Sequence, residues 1–176
     1  MASILCRPKV LDSDPSKEKP SLGLYIHGSK ILKDRLNNFF LCELKILKDS
    51  QIISSGHKTR TDKALVEAIF SLDTFKPVDS VTSIGIFQGI PNAIQPDKPV
   101  LYEEGKIVRP WTFDPCPSTE CGAGIHLVFY GEGTYYFESL MSSFVVPCRY
   151  QKRIFRRIKQ RLKLCLNDMA DKVKWE

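Results

Sequence analysis

The sequence predicts an α+β domain with a mixed, largely antiparallel sheet, a short helix and a long C-terminal amphipathic basic helix. Two observations carry that expectation. Short apolar runs of strand length, separated by Pro- and Gly-bearing loops, fill the middle of the chain, and the one long helical period is gathered at its end. Helices that follow the strands, and do not alternate with them, argue against a doubly wound parallel sheet. With 176 residues, 43% hydrophobic and 26% charged, the chain can bury a core without help from a metal or disulfide. The same composition excludes collagen, coiled coil and wholesale disorder.

Residues 1–20 set Pro8, Pro15 and Pro20 among Asp12, Asp14, Lys17, Glu18 and Lys19 with no apolar period, so they read as a flexible arm. The α+β domain is expected over 21–146 and the basic helix over 147–176. Residues 22–27 suit a strand closed by a turn at Gly28-Ser29, and Phe40, Cys42, Leu44 and Ile46 alternate through a second strand at 39–47. After the turn signal Ser54-Ser55-Gly56, the residues Leu65, Val66, Ala68, Ile69 and Leu72 fall at helical spacing, although they would also suit a buried strand. Residues 81–87 read as a strand and 89–99, with three prolines, as a loop. Residues 100–102 and 106–108 flank Glu103-Glu104-Gly105 as in a hairpin, and 110–122 is loop again. Residues 125–130 form the clearest strand, apolar on both faces and therefore central, with His126 expected to be buried. Past Gly131-Glu132-Gly133, Thr134 can cap the short helix, with Tyr136, Phe137, Leu140 and Met141 on one side. Finally Ile154, Ile158, Leu162, Cys165, Leu166, Met169 and Val173 recur at three or four residues, as a long amphipathic helix requires.

Charge is concentrated in that last element. The formal net charge is +6, yet eight of the 26 basic residues lie between Arg149 and Lys163 with no acid among them, leaving 18 against 20 acidic residues elsewhere. No apolar run of about 18 residues exists to span a membrane. Met1 to Cys6 meets Arg7 and Pro8 at once, unlike a signal peptide, so an intracellular, unsecreted protein is expected. Six irregularly spaced cysteines then read as reduced thiols.

Three stretches resemble an uncharacterised domain of large DNA viruses, often found there ahead of pentapeptide repeats. They are 56–66 (Gly-His-Lys-Thr-Arg-Thr-Asp-Lys-Ala-Leu-Val), 102–114 with Gly105-Lys106-Ile107-Val108-Arg109-Pro110, and 120–127 (Glu-Cys-Gly-Ala-Gly-Ile-His-Leu). The resemblance covers roughly residues 40–140. The chain departs from the family pattern at Thr59, where Cys is usual, at Leu127-Val128, where two aromatics are usual, and in an insertion over 74–99. A viral origin and a fold are implied, but no reaction; in place of the pentapeptide repeats stands the basic helix.

Cys116, Cys121 and His126 stand with four residues between each pair, but a knuckle's next ligand position is Gly131, so the ligand set is incomplete and no metal is expected. Cys121, Gly124 and His126 are instead expected to support the fold. Tyr25-Ile26-His27-Gly28-Ser29 and Gly131-Glu132-Gly133-Thr134-Tyr135-Tyr136-Phe137 are similar to segments of poly-ADP-ribose-type transferases, which implies His27 on a nicotinamide ribose and Tyr135 stacked on nicotinamide. Such enzymes also need a later Glu on a strand. Beyond Glu138 the only acids are Asp168, Asp171 and Glu176, in or after the last helix. No nucleophile elbow and no phosphate-cradling glycine loop occur, and no cofactor is implied.

On the basic helix, Arg149, Lys152, Arg153, Arg156, Lys159 and Lys163, with Arg157 beside them, follow one another at three or four residues and line a stripe next to the apolar one. Like charges so placed repel, and mixed signs would support the helix better. Either a solvated face or a face for a polyanion results. Docking to a membrane surface is the weaker option, since the domain needs the apolar side. The expected protein is a non-enzymatic structural or interaction component of a large DNA virus, virion-associated or of minor capsid type. Its helix would meet nucleic acid or other viral proteins in the virion or host cytoplasm. An ADP-ribosyltransferase-like enzyme and an intracellular host-directed binding module are the alternatives, and no oligomeric state is specified.

Overall fold

A computed structural model describes residues 24–55, 58–84, 99–119, 122–130 and 147–173. Nine strands and one helix are named among them: β1 His27–Lys33, β2 Phe39–Lys45, β3 Ile52–Ser55, β4 Lys58–Thr61, β5 Ala64–Ser71, β6 Ser80–Ser83, β7 Val100–Glu103, β8 Ile107–Val108, β9 Ile125–Phe129 and α1 Cys148–Val173. Seven strands make one antiparallel sheet in the order β3-β4-β9-β1-β2-β5-β8, and β6 pairs with β7 in a separate ribbon. The protein is thus an α+β single domain with a largely antiparallel sheet and a C-terminal helix.

Period-two alternation sends side chains to two cores. Ile31, Leu41, Val128 and Tyr130 meet Tyr150, Ile154, Ile158 and Cys165 of α1 on one face. Leu32, Cys42, Leu44, Ile125, Leu127 and Phe129 meet Val81 and Tyr102 of the ribbon on the other. The sheet is the middle layer between helix and ribbon, which is why β1, β2 and β9 are apolar on both sides. Full burial of Ile154 contributes roughly 1.5–3 kcal/mol to holding α1 down.

The sequence reading and the structure part company at four places. Gly28-Ser29 does not close a strand over 22–27, of which 22 and 23 lie outside the described residues; β1 begins at His27 and runs through both. Gly28 serves close approach, because a Cβ there would lie 2.6 Å from the Val128 carbonyl oxygen. The helical spacing that starts at Leu65 belongs, up to Ser71, to strand β5, the alternative the sequence also allowed. The pairing with β2 jumps from Glu43↔Ala68 to Leu44↔Val66, so a bulge at Glu67 puts Val66 and Ile69 on one face three residues apart. Residues 100–108 make the expected tight turn, with Lys106 N donating to Glu103 O at 3.0 Å and Gly105 at φ 77°, but β7 joins the ribbon and β8 joins β5. His126 lies on an interior strand as expected, yet is only half-buried. Residues 1–20, the 131–146 segment with its expected short helix, Cys121 and Tyr135 fall outside the described residues.

Candidate interaction face on the basic helix

No acidic residue occupies the first turn of α1, where Arg149 and Lys152 oppose the helix dipole. The turn after β5 compensates. Tyr150 donates its hydroxyl to Asp73 Oδ1 at 2.6 Å, Arg149 donates to the Tyr150 oxygen at 2.7 Å, and Arg153 donates to the carbonyls of Leu72, at 2.7 Å, and Asp73. These contacts fix where the helix starts.

One turn further along, the cations turn inward. Glu43, 1% exposed, stands at a helix-facing position of β2, and Arg157 grips it with two parallel bonds, Nε to Oε1 at 2.7 Å and Nη2 to Oε2 at 3.1 Å. The guanidinium also lies 4.6 Å from the centre of the Phe70 ring. Arg161 places Nε 3.5 Å from Glu43 Oε2 and donates from Nη2 to Glu67 Oε2 at 2.7 Å. His27 Nδ1 donates to that same Glu67 oxygen at 2.9 Å. The bulge turns Glu67 toward α1, so a local irregularity of β5 completes the network. Burial pulls the Glu67 carboxyl upward, but the His27 hydrogen bond and the charges of His27, Arg161 and Lys45 outweigh it and hold the group below its ordinary range. Alongside, the Ser29 and Tyr130 hydroxyls share a 2.8 Å bond; burial above all, with nearby Glu43, pushes the Tyr130 phenol up.

The remaining cations face out. Lys152, Arg156, Lys159 and Lys163 are exposed and join none of the ion pairs among the described residues, while Lys159 Nζ hangs 5.9 Å from the Phe155 ring centre. The stripe expected from sequence is therefore divided. Arg149 and Arg153 hold the start of the helix, Arg157 and Arg161 bind the buried Glu43 and the half-buried Glu67, and Lys152, Lys159 and Lys163 with Arg156 present charge to solvent. Leu166, expected on the apolar stripe, is 48% exposed.

A buried cation organises the β4 end of the sheet. Arg60 of β4, 1% exposed, donates Nε to Asp114 O at 2.9 Å, Nη1 to Thr119 O at 2.8 Å and Nη2 to Cys116 O at 2.6 Å. Gly122 and Gly124 give it room: a Cβ on Gly122 would sit 2.7 Å from Arg60 Cζ, and one on Gly124 would sit 3.1 Å from Arg60 Cβ at a φ of 153°. His126 pairs across the strands with Arg60 and donates Nε2 to Gly122 O at 2.8 Å. The three stretches singled out in the sequence thus meet around one guanidinium, and Gly124 and His126 border it. Cys116 bonds Ser118 Oγ at 2.9 Å, and no group of three potential metal ligands gathers among the described residues.

Sequence reasoning missed Glu43, Glu67, Arg60 and Arg161 as functional positions. Glu43 carried a signal, being a carboxylate flanked by Cys42 and Leu44 inside a strand apolar up to Lys45. The glycine pair flanking Ala123 was the signal for a bulky neighbour.

A family of unknown function, DUF5758, matches residues 18–132. The chain belongs to that family. The match spans roughly two thirds of the sequence, takes in β1 to β9 with Glu43, Arg60 and Glu67, and ends before α1. No curated protein and no solved structure matches the chain.

Proposed function

We propose that this DUF5758 protein is a non-enzymatic interaction component whose helix α1 presents Lys152, Arg156, Lys159 and Lys163 to an acidic macromolecule. The observation that supports the reading is the division of the cations. Four arginines of α1 are engaged by the domain's own carbonyls and carboxylates, so the helix is anchored without help from the other four. Four like charges left along about three turns repel one another at a cost that docking does not require, and an acidic partner offsets it. A virion-associated role in a large DNA virus, of minor capsid type, accords with the resemblance of 56–66, 102–114 and 120–127; a host-directed binding module would use the same face.

His27, the residue of the transferase reading, spends Nδ1 on Glu67 within the network that seats α1, which favours an anchoring role for it. Among the described residues no helix is long and apolar enough to cross a membrane. Fluorescence anisotropy at low salt, with labelled duplex DNA and labelled polyglutamate as probes, tests the reading. Saturable binding to either, lost as salt rises, is expected. Failure of both to bind contradicts it.

A further inference from the structure

The cations of α1 run beside an apolar seam that the sheet covers only in part: Leu162 packs against the core, and Phe155 and Leu166 stay about half exposed. Cys148, Phe155, Leu162 and Met169 recur every seven residues, and Leu166 follows Leu162 by four. Phe155 and Leu166 are each 48% exposed, Leu162 and Met169 are half-buried and Cys148 is exposed. Residues seven apart lie on one line of a helix, and with Leu166 on the adjacent line they make a narrow apolar strip against which a second helix can pack. Lys152 and Lys159 stand four residues beyond Cys148 and Phe155, where flanking charges of a helix pair sit, with Arg156 and Lys163 on the next row out. The centre of the apolar face, Ile154, Ile158 and Cys165, is already spent on the sheet. The seam is the rim of that face.

We infer that α1 docks a partner protein's acidic amphipathic helix, its apolar residues against Phe155, Leu162 and Leu166 and its carboxylates against Lys152, Arg156, Lys159 and Lys163. This rests on the reading of the basic face given above and names its partner. Charge complementarity selects the occupant. A second copy of this chain would bring the same cations to the seam and set like against like. Nucleic acid would use the cations and leave the seam in water. A lipid surface wants its apolar strip central and outward, whereas the sheet holds that centre here and cations border only one side of the exposed rim. An acidic helix uses both features at once.

The full chain is titrated with a synthetic acidic peptide of about three heptads, Leu at the seam positions and Glu at the flanks. The same peptide with Leu replaced by Ser, polyglutamate, duplex DNA, and phosphatidylcholine vesicles with phosphatidylserine serve as the other probes. The Leu peptide should bind about tenfold or more tighter than its Ser version and gain helicity on binding. Phe155→Ser and Leu166→Ser should each weaken it by about tenfold while polyglutamate binding stays as it was. Both side chains are about half exposed, so the circular dichroism and melting temperature of the variants report that the fold is intact. Equal affinity for the Leu peptide, the Ser peptide and polyglutamate would overturn the inference and leave the basic-face reading standing. Vesicles, or DNA, bound in a Phe155-dependent way without the Leu peptide would overturn it in favour of that ligand. No binding to any acidic probe would sink both.

Discussion

Replacing Arg157 by Ala should destabilise the protein by about 3–5 kcal/mol, because it strands a buried carboxylate. Glu43 is 1% exposed and holds both of its short bonds, 2.7 and 3.1 Å, from Arg157; Arg161 remains only at 3.5 Å and is already committed to Glu67. The loss of the stacked guanidinium over Phe70 adds a little. For a chain of this length, such a loss lowers the melting temperature by about 6–20 °C. Urea unfolding followed by circular dichroism measures it directly. The companion variant Glu43→Leu with Arg157→Met removes both members of the pair while Arg161 keeps Glu67, and should recover most of the loss. Lys152→Ala and Lys159→Ala, on the outward side, should stay within about 0.5 kcal/mol of wild type. A single Arg157→Ala variant that loses less than about 1 kcal/mol would refute the claim that α1 is seated by this buried pair.

Gly122→Ala should destabilise by about 1–3 kcal/mol, since the new methyl meets Arg60 Cζ at 2.7 Å and the Asp114 carboxylate at 2.8 Å; proteolysis within 114–119 should quicken, and an unchanged digest would count against the Arg60 cradle. Glu67, held below its ordinary 4.5, contributes stability that is present above that value and lost as pH falls through the lowered one. Glu67→Gln should therefore flatten the acid limb of the urea midpoint against pH, and an acid limb as steep as wild type would contradict this. Lys30, half-buried with Nζ donating to His126 O at 3.1 Å, is lowered from 10.5 to about 8, chiefly by burial, against a smaller upward pull from Cys42. Between those values the unfolded chain binds more protons, so stability should rise with pH across about 8 to 10.5, and Lys30→Met should remove that rise; a slope unchanged in the variant would assign it elsewhere.

Strands β2 and β9 were legible as short apolar runs of strand length, and helix α1 by its unbroken period of three to four residues. β5 was left between helix and strand for a physical reason: a bulge at Glu67 shifts the alternation and imitates helical spacing. Gly28 looked like a turn signal because a glycine required by a neighbouring strand and one required by a turn are the same letter. The candidate face was only half legible. Eight cations in a row announce themselves, but which of them are spent depends on partners as far as 114 residues away, such as Glu43 for Arg157. The blocks around Arg60 were recognisable as blocks, and their shared purpose emerges only when β4 and β9 lie side by side.

The claim that α1 keeps one set of cations for the fold and another for a partner is tested most directly by the salt dependence of polyanion binding in one variant. Lys152, Arg156, Lys159 and Lys163 are replaced together by Gln, and labelled duplex DNA is titrated over a range of salt beside wild type. The account predicts an unchanged melting temperature within about 2 °C and a log affinity against log salt slope reduced by about 0.9 for each of the four phosphate contacts removed. If DNA binds wild type and variant with the same slope, or if the variant unfolds as Arg157→Ala is expected to, the division of labour along the helix is wrong.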